Sequence, residues 1–219
     1  MTNTEILLSG DASDFVSVSD VAPDVILEIR YYSTYNFVGE RIDGYEEPLA
    51  LLTREAAGAL RAVSDAMAAR GYRLKVFDAY RPQMADAHFV KWALDAADTR
   101  MKAYFYPDLD KAVLFPQRYI TELSSHTRGS AVDVTLLDMA TGRELDMGGM
   151  FDFFGESSHA DYRGITDAQY ANRMRLREAM QAHGFKPMAE EWWHFMLADE
   201  PWPNTYFTFP VSSRSLRRD

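Results

Sequence analysis

The chain has no cysteine among its 219 residues. Disulfides and thiolate metal sites are therefore excluded, and any transition-metal site must be built from His, Asp and Glu. No apolar run approaches the ~20 residues needed to cross a bilayer. The opening MTNTEILLSGDASDF lacks the basic segment and long apolar stretch of a secretion signal. A cytoplasmic location is expected, or a periplasmic one if a signal has been removed. Basic side chains are in the minority, 23 Lys and Arg against 33 Asp and Glu, for a net charge of -10. A polyanion would meet repulsion, so nucleic acid is not an expected partner. Repeats, low-complexity tracts and Pro/Gly/Ser-rich linkers are absent as well, which predicts one domain over residues 1–219. Its basic end, from about residue 212, reads as a solvated tail. Oligomeric state is not legible.

Three stretches have helical spacing. From Thr53 to Arg70, Ala56, Leu60, Val63 and Met67 share a face and Gly71 stops the helix. After Pro82, suited to a first turn, Ala85, Phe89, Trp92, Ala93 and Ala96 form a stripe. Thr166 and Gln169 have capping-box spacing before Leu176, Ala179 and Met180, with Gly184 at the end. Between them lie three strand signals: YRLKVF (Tyr72 to Phe77), AVDVTLL and the aromatic EWWHFML (Glu191 to Leu197). In the second, Val132, Val134 and Leu136 share one face, so Asp133 points to the other with Ala131 and Thr135. With the valines in the core, Asp133 faces a cleft. The order predicts an α+β fold, a single compact domain.

The stretch SSHTRGSAVD sets His126 and Asp133 seven positions apart, and EWWHF adds His194. A catalytic zinc takes three protein ligands and keeps a fourth position open, and two imidazoles with one carboxylate suit zinc. Glu191, three residues before His194, would be the carboxylate that takes a proton from water. The odd separation forbids His126 and Asp133 from sharing one face of a continuous strand, and Gly129 offers the break. Likewise Glu191 must lie in a turn or bulge before the strand of His194 begins. The other reading of SSHTRGSAVD is a turn whose polar side chains satisfy backbone groups. His88 and His183 fit structural roles on helices, and His159 lies in a loop outside the proposed site.

Taken together, SSHTRGSAVD, EWWHF, FDAYRP and MGGMFD resemble, in order and separation, the zinc-dependent D-alanyl-D-alanine dipeptidases of the vancomycin-resistance type, over roughly Tyr31 to Phe195. The resemblance implies a hedgehog/D,D-peptidase-like architecture, with a central, mainly antiparallel sheet flanked by helices. It implies one Zn2+ held by His126, Asp133 and His194, with Glu191 as catalytic base and Arg81 aimed at the reacting carbonyl. It also implies that Asp152 binds the free amine of a small dipeptide substrate, with Tyr31 and Ser124 lining the same pocket. Without it, Arg81 reads as an ion-pair residue, Asp152 and Ser124 as turn residues and Tyr31 as a core aromatic. Two departures, Gly149 where the family often has threonine and a loose YYSTYNFVG segment, bear on substrate recognition rather than on the metal. The expected activity is hydrolysis of D-Ala-D-Ala or a near relative. The alternatives are a D,D-carboxypeptidase or other murein stem-peptide hydrolase, and a non-catalytic zinc-binding domain.

Overall fold

The computed structural model describes residues 6–115 and 120–216. Its elements run β1 (Leu7–Ser9), β2 (Phe15–Ser17), α1 (Val18–Val21), β3 (Ile26–Leu27), β4 (Leu51–Thr53), α2 (Arg54–Ala68), β5 (Tyr72–Asp78) and α3 (Gln83–Leu94). There follow α4 (Lys102–Phe105), β6 (Ala131–Asp138), α5 (Asp167–Ala182), β7 (Phe185–Pro187), β8 (His194–Leu197) and β9 (Thr205–Phe207). The main sheet has the order β3-β5-β6-β8-β7, in which only β3 and β5 pair in parallel. β1 with β9 and β2 with β4 form two small satellite pairs. The architecture is α+β with a mainly antiparallel central sheet.

Helix ends follow the expected chemistry. Thr53 Oγ1 accepts the N–H of Ala56 at the start of α2, and Thr166 with Gln169 closes a reciprocal capping box on α5. Gly71 and Gly184, just beyond those helices, take the positive φ that L side chains resist. The helix after Pro82 ends at Leu94, so Ala96 lies beyond its stripe. α2 packs on β5, α5 on β7, and the two helices touch each other. Strand alternation gives Leu74, Val76, Val132, Val134 and Leu136 one face. The other carries Phe77, Asp133 and Thr135, and there Phe77 stacks on Phe151 with ring centroids 4.7 Å apart.

The C-terminal segment corrects one expectation. Ser212 is buried, its hydroxyl donates to Glu47, and Ser213 adds backbone and side-chain bonds to the same carboxylate. Residues 212–216 are thus anchored rather than a solvated tail, because Val211 bridges Tyr45 and brings the chain end onto Glu47. The rest of the tail, residues 217–219, lies outside the described residues.

Register is what positions the site. Asp133 lies opposite His194 on β8 and opposite Asp78 on β5, so three polar residues sit side by side on adjacent strands. The pairing of β5 with β6 slips between Val76 and Asp78, leaving Phe77 as the extra residue of a bulge. Gly129, at φ 78, ends the 3-10 turn Ser125–Arg128, and an added Cβ would lie 2.3 Å from the Phe15 ring. Gly129→Ala is accordingly expected to destabilise the fold by at least about 1–2 kcal/mol from the left-handed backbone alone, read as a lower urea midpoint at unchanged m-value. An unchanged midpoint would show that the turn adapts without Phe15 resisting.

Candidate active site

His126 sits on that 3-10 turn, whose first residue is capped by Ser124 Oγ accepting the N–H of His126. Its Nδ1 lies 2.6 Å from the carbonyl of Ala79, which can only accept, so Nδ1 carries the proton and Nε2 presents a lone pair inward. Nε2 stands 3.3 Å from Asp133 Oδ1 and 3.0 Å from His194 Nδ1, and His194 Nδ1 is 3.1 Å from Asp133 Oδ1. The far nitrogen of His194, Nε2, meets Ser125 Oγ at 3.1 Å. Each imidazole is therefore oriented by a partner on its outer side, the arrangement that metal-ligating histidines show. All three residues are buried. Three acceptor atoms facing one point in a buried setting are satisfied by a cation, and this cluster could hold a metal ion.

The surrounding charges agree. Burial by itself would raise the Asp133 carboxyl, but in the metal-free protein, where a proton can take the cation's place on the inward nitrogens, the charge and hydrogen bonds of the two imidazoles outweigh it and hold Asp133 well below the usual carboxylate range. Glu191 lies before β8, with Trp192 and Trp193 in a turn and the strand beginning at His194, which meets the geometric demand read from EWWHF. The strand is correspondingly shorter than the aromatic run. Glu191 Oε2 is 3.8 Å from His194 Nδ1, and its side chain keeps 36% exposure. Its carboxyl is raised mainly by loss of solvation, with His194 opposing and Asp133 adding to the shift.

Arg81 is not on the surface. Its side chain is 13% exposed, its Nε donates to Asp78 Oδ2 at 3.0 Å, its Nη2 stands 3.0 Å from the same oxygen, and its Nη1 stands 3.6 Å from Asp86 Oδ1. Tyr45 donates to the other Asp78 oxygen at 2.6 Å, and Thr127 and the Ser124 N–H donate to Asp86 Oδ2. Asp86 thereby links the guanidinium to the turn that carries His126. Tyr31 is buried and donates its hydroxyl to Asp152 Oδ2 at 2.8 Å. Asp152, at φ 61, is alone in positive φ among the described non-glycine residues. Its carboxyl is pushed well above the usual range by burial first and then by the charges of Asp133 and Glu191, with Tyr31 and Arg81 opposing.

All eight residues singled out in the sequence, His126, Asp133, His194, Glu191, Arg81, Asp152, Tyr31 and Ser124, line one cavity of about 230 Å³. Ser124 reaches it while its Oγ is engaged in the turn cap. His88, which pairs with Glu40, and His183, at the end of α5, are outside it, as is the exposed His159. Sequence reasoning missed the supports: Asp78, Asp86, Tyr45, Ser125 and the Ala79 carbonyl. Only Asp78, three residues before Arg81, left a readable signal.

Comparisons with known proteins converge on one family. The profile of the D-ala-D-ala dipeptidase peptidases matches residues 11–212. A D-alanyl-D-alanine dipeptidase of Enterococcus faecalis is 40% identical over 198 residues, 90% of this chain and 98% of the relative. One from Streptomyces coelicolor is 37% identical over 199 residues, 91% of this chain and 98% of the relative. A solved LD-carboxypeptidase is more distant, 19% identical with a TM-score of 0.47, covering 91% of this chain and 75% of that one. With a family profile spanning most of the sequence and relatives matched along nearly their whole length, this chain belongs to the D-ala-D-ala dipeptidase family of peptidases.

Proposed function

We propose that this protein hydrolyses D-Ala-D-Ala or a closely related dipeptide, with one zinc ion held by His126 Nε2, Asp133 Oδ1 and His194 Nδ1. The observation that carries the reading is one small cavity holding a three-atom metal cradle, a neighbouring carboxylate, a fixed guanidinium and a second, buried carboxylate. The donor set fits zinc. Bonds of ~2.0–2.1 Å in a tetrahedron set neighbouring ligand atoms about 3.3 Å apart, and the three atoms stand 3.0, 3.1 and 3.3 Å from one another. When bound, zinc supplies the Lewis acidity that lets water act as a nucleophile near neutral pH.

The chain's own groups do the rest. Glu191 takes a proton from the attacking water and returns it to the departing amine, so water is added across the amide and a carboxylate and an amine are formed. Arg81, immobilised by Asp78 and Asp86, donates hydrogen bonds to the scissile carbonyl oxygen as negative charge develops there. Asp152, oriented by Tyr31, holds the substrate's ammonium. The cavity lies below the ~300–1,000 Å³ usual for drug-sized ligands, which suits a dipeptide. The amine clamp disfavours the longer or acylated peptides of a stem-peptide hydrolase, because a blocked amine would leave Asp152 buried without a cation.

The decisive experiment is release of free D-alanine from D-Ala-D-Ala by zinc-loaded protein, with chelated protein beside it. Release only by the loaded protein is expected. No release at one equivalent of bound zinc would turn the reading toward another peptide or a non-catalytic zinc domain. Asp152→Ala is expected to lower kcat/KM on the free dipeptide by about 30- to 1,000-fold, the ~2–4 kcal/mol of a buried charge pair broken on one side. N-acetylated D-Ala-D-Ala should lose its disadvantage in that variant. An unchanged preference for the free amine would remove the clamp.

A further inference from the structure

Position 173 lies on the apolar face of α5, in line with Leu176 and Met180, yet it holds an arginine that is 1% exposed. Burying a guanidinium is costly unless it is paired and hydrogen-bonded. No carboxylate among the described residues offsets this one: loss of solvation pushes its pKa down to about 10, with Tyr162 opposing. It remains a cation at neutral pH. Its partners are three carbonyl oxygens, with Nε donating to Met147 at 2.6 Å, Nη2 to Ser157 at 2.8 Å and Nη1 to His159 at 2.8 Å. All three belong to one loop between β6 and α5, and that loop carries Asp152.

Met147 and Ser157 stand five residues on either side of Asp152, so the guanidinium grips both flanks of the segment that presents the carboxylate. Asp152 sits at φ 61, a conformation that costs energy for a residue with a Cβ and persists where the surroundings hold it. The loop has one 3-10 turn, Glu156–Ser158, and no strand pairing to fix it. Asn172 donates to the Asp146 carbonyl at 2.9 Å on the near flank, the Phe154 N–H reaches the Phe105 carbonyl at 2.8 Å, and the Trp192 N–H reaches the Ser158 carbonyl at 2.9 Å on the far flank. Arg173 alone among the described side chains bonds both flanks. A leucine or methionine would fill the same volume without those bonds. The planar fork is what lets one side chain serve three acceptors in fixed directions.

We propose that Arg173 is a positioning residue for the amine clamp: by holding both flanks of the loop from α5 it keeps Asp152 in its left-handed conformation with the carboxylate in the active cavity, a role that rests on Asp152 binding the substrate's ammonium. Arg173 does not line that cavity. Its effect on turnover therefore passes through Asp152.

The test is a double-mutant cycle between positions 173 and 152, run on zinc-loaded full-length protein with D-Ala-D-Ala as substrate. Arg173→Met is expected to retain one equivalent of zinc and to lower kcat/KM by about tenfold or more, chiefly through KM, because the ammonium contact is made in the ground state as well as the transition state. In the Asp152→Ala background the same substitution should cost less than about twofold, since the interaction it serves is already gone. Arg173→Lys keeps the buried charge but not the fork. It should show a smaller loss in the first background and none in the second, and it carries the cycle if Arg173→Met does not fold. Unchanged kcat/KM in the Arg173 variants would overturn the proposal. So would an equal loss in both backgrounds, which would make Arg173 a general support of the fold and leave the clamp, reported by Asp152→Ala alone, standing. Wild-type kcat/KM in Asp152→Ala would instead remove the clamp, and the role of Arg173 with it.

Discussion

Glu191→Gln is expected to retain one equivalent of zinc and to lower kcat on D-Ala-D-Ala by about 10²- to 10⁴-fold, the range of a lost general base. Glutamine preserves shape and polarity but cannot accept the water's proton. KM should change little, because the missing interaction belongs to the transition state. The prediction rests on Glu191 standing 3.8 Å from His194 Nδ1 in the wall of the cavity, close to the metal cradle and still partly exposed to it. Its carboxyl is shifted upward chiefly by loss of solvation, the direction that makes a carboxylate a stronger base. Full activity in the variant would remove Glu191 as the base. Loss of zinc together with activity would instead show that Glu191 shapes the cradle.

For Arg81→Lys the expectation is a drop in kcat of about 10²- to 10³-fold, the usual loss when one oxyanion donor is removed. Lysine retains the charge but not the rigid fork that Asp78 and Asp86 hold from two sides. Arg81→Ala should also unfold more easily, by about 3–5 kcal/mol, because it strips the cation from two buried carboxylates. That loss has a predictable pH dependence. Asp78 and Asp86 are raised by burial, with Arg81 the leading opposing influence. Without Arg81 both rise further, so over the interval above the ordinary carboxylate pKa the native state binds more protons than the unfolded chain. Stability then falls as pH increases. Denaturant midpoints of Arg81→Ala and wild type across that interval should diverge with rising pH, and parallel curves would mean that Arg81 does not neutralise the pair.

Much of the site was legible because its chemistry depends on residue types that a chain without cysteine must use. Two histidines, two carboxylates and a glycine break between the ligands were enough to state the geometric demands on Gly129 and Glu191, and the backbone meets both. Arg81 was harder to place, since its role depends on Asp86, five residues further on in another element, and on Thr127, distant in sequence. Ser125 and the Ala79 carbonyl gave no signal, because a backbone acceptor or a single hydroxyl looks the same in any turn.

Read alone, the sequence determined the helix stripes and their caps, the alternation that turns Asp133 away from the valines, and the candidate ligands. These are local properties, set by periods of 3.6 and 2 and by the chemistry of individual side chains. Tertiary structure decided the register that aligns Asp78, Asp133 and His194 across three strands, the burial of Arg81 between two carboxylates, the anchoring of Ser212 on Glu47, and the gathering of three loop carbonyls on Arg173. Each of these joins residues far apart in the chain or depends on what packs around them. Such contacts are chosen by the packing of the whole domain, which no local pattern encodes.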